Sequence, residues 1–247
     1  MLSRTVDLSD TPSIAVILAA GKGIRFGNKS VPKPLEKVNG KFILTYQLEQ
    51  LNEVAERVFI VVGYLANNII RAVGKKFKNL EVNYLFQKNQ NGMAAALSLA
   101  RDQIKDPFIL TLGDIFCPAF DFSELHQRGA AGIVVVKSLQ NEMDKRHAAI
   151  SVNDDKRIIS ILEKPSFRTI GFYAFTPVIF EAIDKTHPSP LRGELEISDS
   201  IGELVRMGEI IVIKKTRLPE VNLTYPVDLS TCEEILDGIK HTPSYIS

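Results

Sequence analysis

Residues 14–18 (IAVIL) are uninterruptedly apolar and run straight into Ala19-Ala20-Gly21-Lys22-Gly23. A short run without polar alternation, closed by glycines, suits a strand buried on both faces of a parallel sheet. The rest of the first half repeats the theme. Apolar residues at helical spacing cover 42–54 (Phe42, Ile43, Tyr46, Leu48, Leu51, Val54), and 58–62 (VFIVV) is a second buried-strand candidate. A helix is predicted at 67–77, a strand at 80–86, a helix at 94–104 and a strand at 108–112 (FILTL) that ends at Gly113-Asp114. Strand and helix alternating in this way imply a parallel sheet covered by helices on both sides.

After Asp121 the rhythm changes. Strand-like runs crowd together at 132–136, 148–152, 158–162 and 170–175, and the polar Asn153-Asp154-Asp155-Lys156 suits a hairpin turn. Helices are predicted at 177–184 and 197–207, strands at 210–213 and 223–227, and a closing helix at 231–240 with Ser230 as its N-cap. The expected architecture is a single Rossmann-like three-layer α/β/α domain with a predominantly parallel mixed sheet and a small antiparallel extension. That domain spans 13–240, between a flexible leader (1–12) and a polar tail (241–247).

Composition narrows the chemistry. Lys+Arg number 30 against 29 Asp+Glu in 247 residues, a net charge of +1, which argues against a dedicated nucleic-acid binder. Two cysteines, Cys117 and Cys232, are too few for a disulfide framework or a thiolate metal cluster, so a cytoplasmic protein is expected. No stretch reaches the ~18–20 apolar residues of a membrane span, and 1–12 lacks the apolar region of a signal peptide. The histidines (His126, His147, His187, His241) are scattered without metal spacing, and no GxSxG elbow occurs.

The connection after the first strand carries the strongest chemical signal. Gly21 and Gly23 let backbone N–H groups approach an anion that a Cβ would hold off, and Arg25 and Lys33 add two cations to the same loop. Such a loop suits a triphosphate, whose β and γ groups need neutralising. A dinucleotide fold would want an acidic residue closing the second strand, where Val61-Val62-Gly63-Tyr64 stands instead. A P-loop would want Gly-Lys-Ser/Thr after a fixed gap, which is missing. A plain glycine turn with solvated cations is the remaining alternative, weakened by the stiff Pro32-Lys33-Pro34-Leu35 that closes the loop.

Leu18-Ala19-Ala20-Gly21-Lys22-Gly23-Ile24-Arg25 with Pro32-Lys33-Pro34-Leu35 resembles the signature of the sugar nucleotidyltransferases, which make NDP-sugars from an NTP and a sugar 1-phosphate. Five further segments follow in that family's order: Gln87 with Gly92, Leu112-Gly113-Asp114, Glu163-Lys164-Pro165, residues 192–199 (RGELEISD) and Tyr225-Pro226-Val227-Asp228. The eight-residue RGELEISD points toward members resembling glucose-1-phosphate thymidylyltransferase. Four departures stand out: Ile24 in place of Thr, a short connection from Arg25 to Lys33, Met93 where Gly-Thr is common, and Tyr225 in place of Trp. The phosphate loop and both aspartates survive them, while base and sugar choice stay open.

The resemblance implies roles residue by residue. Leu18, Ala19, Ala20, Gly21, Gly23, Arg25, Lys33, Gln87, Gly92, Gly113 and Asp114 would bind the nucleotide, and Asp114 with Asp228 would hold Mg2+. Glu163, Lys164, Gly171 and Glu194 would meet the sugar phosphate, and Arg25, Lys33 and Lys164 would be catalytic. Plainer readings stand beside these: Gln87 capping a strand, Gly92 starting a helix, Asp228 balancing a helix dipole, Glu163-Lys164 a solvated strand end, Glu194 structural. The expected reaction is Mg2+-assisted in-line attack of a sugar phosphate on the α-phosphorus of a pyrimidine NTP. A cytidylyltransferase for an alcohol phosphate and a non-catalytic nucleotide-sugar binder are the alternatives. Small-molecule partners, no nucleic acid or membrane, and a homodimer or homotetramer complete the expectation.

Overall fold

A computed structural model describes residues 12–27, 30–125, 129–138, 149–152, 158–161, 167–190 and 192–241. The strands are β1 (Ile14–Ala19), β2 (Lys37–Val38), β3 (Lys41–Phe42), β4 (Arg57–Val62), β5 (Lys76–Phe77), β6 (Leu80–Phe86) and β7 (Phe108–Leu112) in the first half. Then come β8 (Ile115–Phe116), β9 (Gly132–Ser138), β10 (Ala149–Val152), β11 (Ile158–Ile161), β12 (Phe167–Phe175), β13 (Ile211–Lys215) and β14 (Val221–Asn222). The α-helices are α1 (Ile43–Leu51), α2 (Ala66–Val73), α3 (Met93–Ser98), α4 (Ile179–Lys185), α5 (Ile197–Arg206) and α6 (Asp228–His241).

Ten strands form the central sheet, whose path runs β11-β10-β12-β7-β1-β4-β6-β5, with β9 beside β12 and β13 beside β9. β1 pairs in parallel with β4 and β7, and β4 with β6. β12 then runs antiparallel to β7, so the sheet is mixed and mostly parallel at its centre, with small antiparallel additions. β1 shows why residues 14–18 carry no polar side chain. Val16 and Leu18 face a layer containing Leu97, Ile179, Ile183 and Ile201, while Ala15, Ile17 and Ala19 face Leu44, Leu48 and Ile69. Each larger side chain there is buried, worth about 1.5–3 kcal/mol of transfer free energy. Helices α3, α4 and α5 cover one face and α1 and α2 the other, which is the expected three-layer arrangement.

Three expectations need correction. The helix predicted at 67–77 ends at Val73, because Gly74 takes φ 77° and releases Lys76–Phe77 into a short strand. The helix predicted at 94–104 ends at Ser98, and a 3-10 turn (Arg101–Gln103) completes the path. The strand predicted at 223–227 is displaced: β14 is Val221–Asn222, and Tyr225-Pro226-Val227 turn directly into α6. Ser230 therefore lies inside the first turn of α6 and not ahead of it. The turn expected at 153–156, residues 1–11 of the leader and residues 242–247 of the tail lie outside the described residues. Among those described, no helix is long and apolar enough to cross a membrane.

Candidate active site

The strand order reverses at β1, which has β4 on one side and β7 on the other. In open α/β sheets the crevice beyond the C-terminal ends of such strands receives ligands. The glycine loop leaves β1 there and Gly113-Asp114 leaves β7 beside it. The Gly113 N–H donates to Leu18 O at 2.9 Å, and a Cβ on Gly113 would lie 3.1 Å from Ala19 Cβ. Glycine is what lets the two strand ends come this close.

Within the loop, Gly23 takes φ 58° and starts a 3-10 turn, Ile24–Phe26. Phe26 is buried against Val38, Phe116, Val221 and Leu223, which anchors the loop while Arg25 points outward, exposed. The Lys33 stem crosses the loop, since a Cβ on Gly23 would stand 3.0 Å from Lys33 Cγ. A Cβ on Gly21 would meet no atom within 4 Å, so open space lies over that peptide.

Lys33 and Asp114, 81 residues apart, meet at the floor of this crevice. Lys33 Nζ donates to Asp114 Oδ2 at 3.0 Å and to Leu223 O at 2.6 Å. A carboxylate oxygen and a main-chain carbonyl thus converge on one cation. α1 braces the segment carrying Asp114: Gln47 Nε2 donates to Leu112 O (2.8 Å) and Ile115 O (2.6 Å), and Gln50 Nε2 to Cys117 O (3.0 Å) and Phe120 O (2.6 Å). From the other side, β14 pairs Asn222 with Ile115, and the Leu223 N–H donates to Asp114 O at 2.9 Å. Asn222 therefore stands beside Asp114, and its side-chain amide makes no hydrogen bond among the described residues. Burial pushes the thiol of Cys117, just past β8, up to about 12, and the nearby Glu220 carboxylate adds to the shift.

Asp228 is held by the residues that directly follow Leu223. It is the first residue of α6, and its Oδ2 accepts the N–H groups of Thr224 (2.6 Å) and Tyr225 (2.7 Å). One carboxylate oxygen is thus committed to closing the turn that leads from β14 into the helix, close to the plainer expectation for this residue.

Gln87 directly follows β6 and is 9% exposed; its Nε2 donates to Asn91 Oδ1 (3.2 Å) and Gly92 O (3.1 Å). Gly92, with φ 112°, precedes α3 and packs on the backbone of Leu195, within the segment 192–196. The Leu195 N–H donates to Asn91 O and the Ala94 N–H to Leu195 O, both at 2.9 Å, so that segment is clamped to the Gln87 loop. Half-buried Glu194 lies in the clamp, and Glu194 O accepts the Ser189 N–H at 2.8 Å. Burial holds Glu196 above the usual carboxylate range, opposed by Arg192, and burial likewise raises Asp199, opposed by Arg206. Gly171 takes φ 89° at a break in the β12 register, with Leu112 and Ile115 closing on it. Glu163 and Lys164 lie outside the described residues.

The structure thus brings together Leu18–Ala20, Gly113, Lys33 and Asp114, and sets the Gln87 loop against them through Gln90, whose Nε2 donates to Ala20 O at 2.8 Å. Gln47, Gln50, Gln90 and Asn222 escape a reading of the sequence. Each is a single amide in an unremarkable stretch, and its partner lies elsewhere in the chain.

Comparisons with known proteins agree with this frame. The model of the nucleotidyl transferase family matches residues 14–218. A UTP–glucose-1-phosphate uridylyltransferase, AglF of Haloferax volcanii, is 35% identical over 233 residues, covering 90% of this chain and 96% of that protein. A bifunctional protein GlmU of Methanococcus maripaludis is 29% identical over 205 residues, 79% of this chain and 48% of its own length. Among solved structures, a UDP-glucose pyrophosphorylase complexed with UDP-glucose superposes with a TM-score of 0.80 at 20% identity, over 93% of this chain and 99% of that one. The inositol-1-phosphate CTP transferase of T. maritima gives 0.77 at 20% identity, over 93% and 97%. At these identities the structural likeness speaks for the fold alone.

Proposed function

Because this chain belongs to the nucleotidyl transferase family, we propose that it transfers the nucleotidyl group of a pyrimidine NTP to a sugar 1-phosphate, releasing pyrophosphate. One observation carries the reading. The glycine loop, Lys33 and Asp114 assemble at the switch point of the sheet, with open space over Gly21. The 35% identity to the Haloferax enzyme supports UTP with glucose 1-phosphate as the first pair to test. Residues 13–240 form the catalytic domain in this proposal. The cytoplasm is the compartment we favour, and a homodimer or homotetramer the assembly.

The sugar phosphate is already an anion, so no protein nucleophile is needed. Its oxygen forms a bond to the α-phosphorus while the bond from that phosphorus to the bridging oxygen breaks, and pyrophosphate leaves. The protein's part is positioning and charge neutralisation. Backbone N–H groups of the loop cradle the phosphates, and Arg25, exposed at the rim, offers a two-pronged guanidinium to the β and γ groups. Lys33 supplies charge at the α-phosphate after leaving Asp114, and Lys164 orients the nucleophile. In this proposal Gln87 and Gly92 would belong to the base subsite, and Glu163, Gly171 and Glu194 to the sugar subsite.

The donors beside Lys33 fit a hard cation. Asp114 Oδ2 and Leu223 O already share one ammonium, and Asn222, the register partner of Ile115, brings a further amide to the same strand pair. Oxygen donors of this kind, completed by phosphates and water, suit Mg2+. Asp114 would hold it with Asn222, and with Asp228 only through the oxygen not engaged by the turn. Mg2+ supplies further neutralisation of the phosphate oxygens when bound.

A pyrophosphate-release panel tests the proposal, crossing UTP, dTTP, CTP, ATP and GTP with several sugar 1-phosphates, phosphocholine and inositol 1-phosphate. Release with UTP or dTTP and a hexose 1-phosphate is expected. Release confined to CTP with an alcohol phosphate would move the assignment to a cytidylyltransferase. No release, with nucleotide sugars still binding, would make the chain a binder. Asp114→Ala and Arg25→Ala should each abolish release while the circular dichroism spectrum stays unchanged.

A further inference from the structure

Glu220 stands one residue ahead of β14, and its side chain is only 4% exposed. Its Oε1 lies 2.6 Å from an Arg168 guanidinium nitrogen and its Oε2 2.5 Å from Lys137 Nζ. Arg168 and Lys137 face each other as register partners on β12 and β9. β12 runs antiparallel to β7, so both cations sit at the end of the sheet where β7 delivers Asp114. A carboxylate buried this far is costly unless it is paired, and the pairing is only as useful as what it holds in place.

What it holds is β14. That strand has two residues and, among the described residues, pairs only with β8, itself two residues long. A ladder this short is not stable by itself and cannot define its own position. Yet three contacts at the floor of the crevice depend on that position: Asn222 opposite Ile115, the Leu223 N–H on Asp114 O, and Leu223 O on Lys33 Nζ. Val221 and Leu223 pack into an apolar cluster with Phe26 and Phe116, and apolar packing is non-directional, so it resists separation more than a shift in register. Two charge contacts to the main sheet, a hydrogen bond from Arg168 and an ion pair with Lys137, act against such a shift.

We propose that Glu220 is a positioning residue, pinned by Lys137 and Arg168, that docks β14 onto the main sheet and so sets Asn222 and the Leu223 carbonyl at Asp114. Its effect on docking stands independently; its effect on turnover rests on the reaction proposed above.

Two measurements on Glu220→Gln test it. Amide hydrogen exchange at Leu223 should accelerate about tenfold or more relative to β1 and β4 amides, which report global opening. The Mg2+ concentration giving half-maximal pyrophosphate release should rise about tenfold, in the range expected for supports of metal ligands, with kcat at saturating Mg2+ much less affected. Wild-type protection at Leu223, or acceleration equal at all three strands, would overturn the docking role. Faster exchange at Leu223 with an unchanged Mg2+ requirement would overturn the link to the site. If the wild-type protein releases no pyrophosphate, the reaction is wrong, and the exchange data still judge the docking. Glu220→Gln leaves two cations without their anion and can fail to fold. Lys137→Met keeps the Arg168 pair, and a smaller acceleration at Leu223 is expected there; none would overturn the proposal.

Discussion

Alanine at position 92 would place a methyl group where the backbone of Leu195 already is. An ideal Cβ on Gly92 stands 2.3 Å from Leu195 O, 2.6 Å from its N and 2.8 Å from its carbonyl carbon. These are main-chain atoms held by hydrogen bonds to Asn91 O and from the Ala94 N–H, so no flexible side chain can yield. Moving Leu195 outward breaks both bonds, each worth about 1 kcal/mol net, and φ 112° adds about 1–3 kcal/mol of strain for any residue with a Cβ. The sum is about 3–5 kcal/mol, a fall of roughly 10 °C in Tm for a chain of this size. Urea unfolding and thermal melts read the stability, and the KM for the nucleotide should rise because the Gln87 loop moves too. Gly21→Ala is the control. With nothing within 4 Å of its Cβ and no positive φ, stability should change by less than about 0.5 kcal/mol. The methyl group does occupy the space proposed for phosphates, so KM should rise about tenfold or more. A Gly92→Ala protein as stable as the wild type, or a Gly21→Ala protein with an unaltered KM, refutes the reasoning at the corresponding site.

Other consequences are open to simpler measurements. Asp228→Ala should cost about 1–2 kcal/mol in urea unfolding, because the Thr224 and Tyr225 amides lose their acceptor. Asn222→Ala should leave stability within about 0.5 kcal/mol but raise the Mg2+ requirement about tenfold, and an unchanged requirement counts against Asn222 as a ligand. Glu196 binds its proton more tightly in the folded state, so its contribution is full below its unfolded pKa of about 4 and is lost as pH rises through the raised folded value. Wild-type stability should therefore fall more steeply above about pH 4 than that of Glu196→Gln, and parallel curves sink this account. Cys117 and Cys232 are buried, with thiols pushed up to about 12, so neither should react with a thiol reagent at pH 8 until the protein unfolds.

The parts of the fold legible in the sequence are those whose cause is local. An all-apolar run such as 14–18 or 58–62 reads as a doubly covered strand whatever lies beside it, and Gly21-Lys22-Gly23 reads as a loop from its own backbone freedom. Gly113-Asp114 likewise follows from a strand ending in a glycine. Where the cause is remote, the reading slips. Residues 223–227 (LTYPV) have strand-like composition, yet the partner offered by Ile115–Phe116 selects Val221–Asn222, and Asp228 takes the next two free amides for a turn. The extension of α2 past Gly74 failed for a smaller reason, a single left-handed residue inside a convincing helical period.

By itself, then, the amino-acid order determined a layered α/β domain, a glycine loop after the first strand and one carboxylate at the end of β7, because each is written within a few consecutive residues. Only the tertiary structure decided what meets that carboxylate. Lys33 reaches Asp114 across 81 positions, β14 brings Asn222 opposite Ile115, Glu220 meets Arg168, and the Leu195 backbone closes on Gly92. Contacts of this kind are chosen by the packing of the whole chain, where a one-residue shift in β14 would change every partner at once.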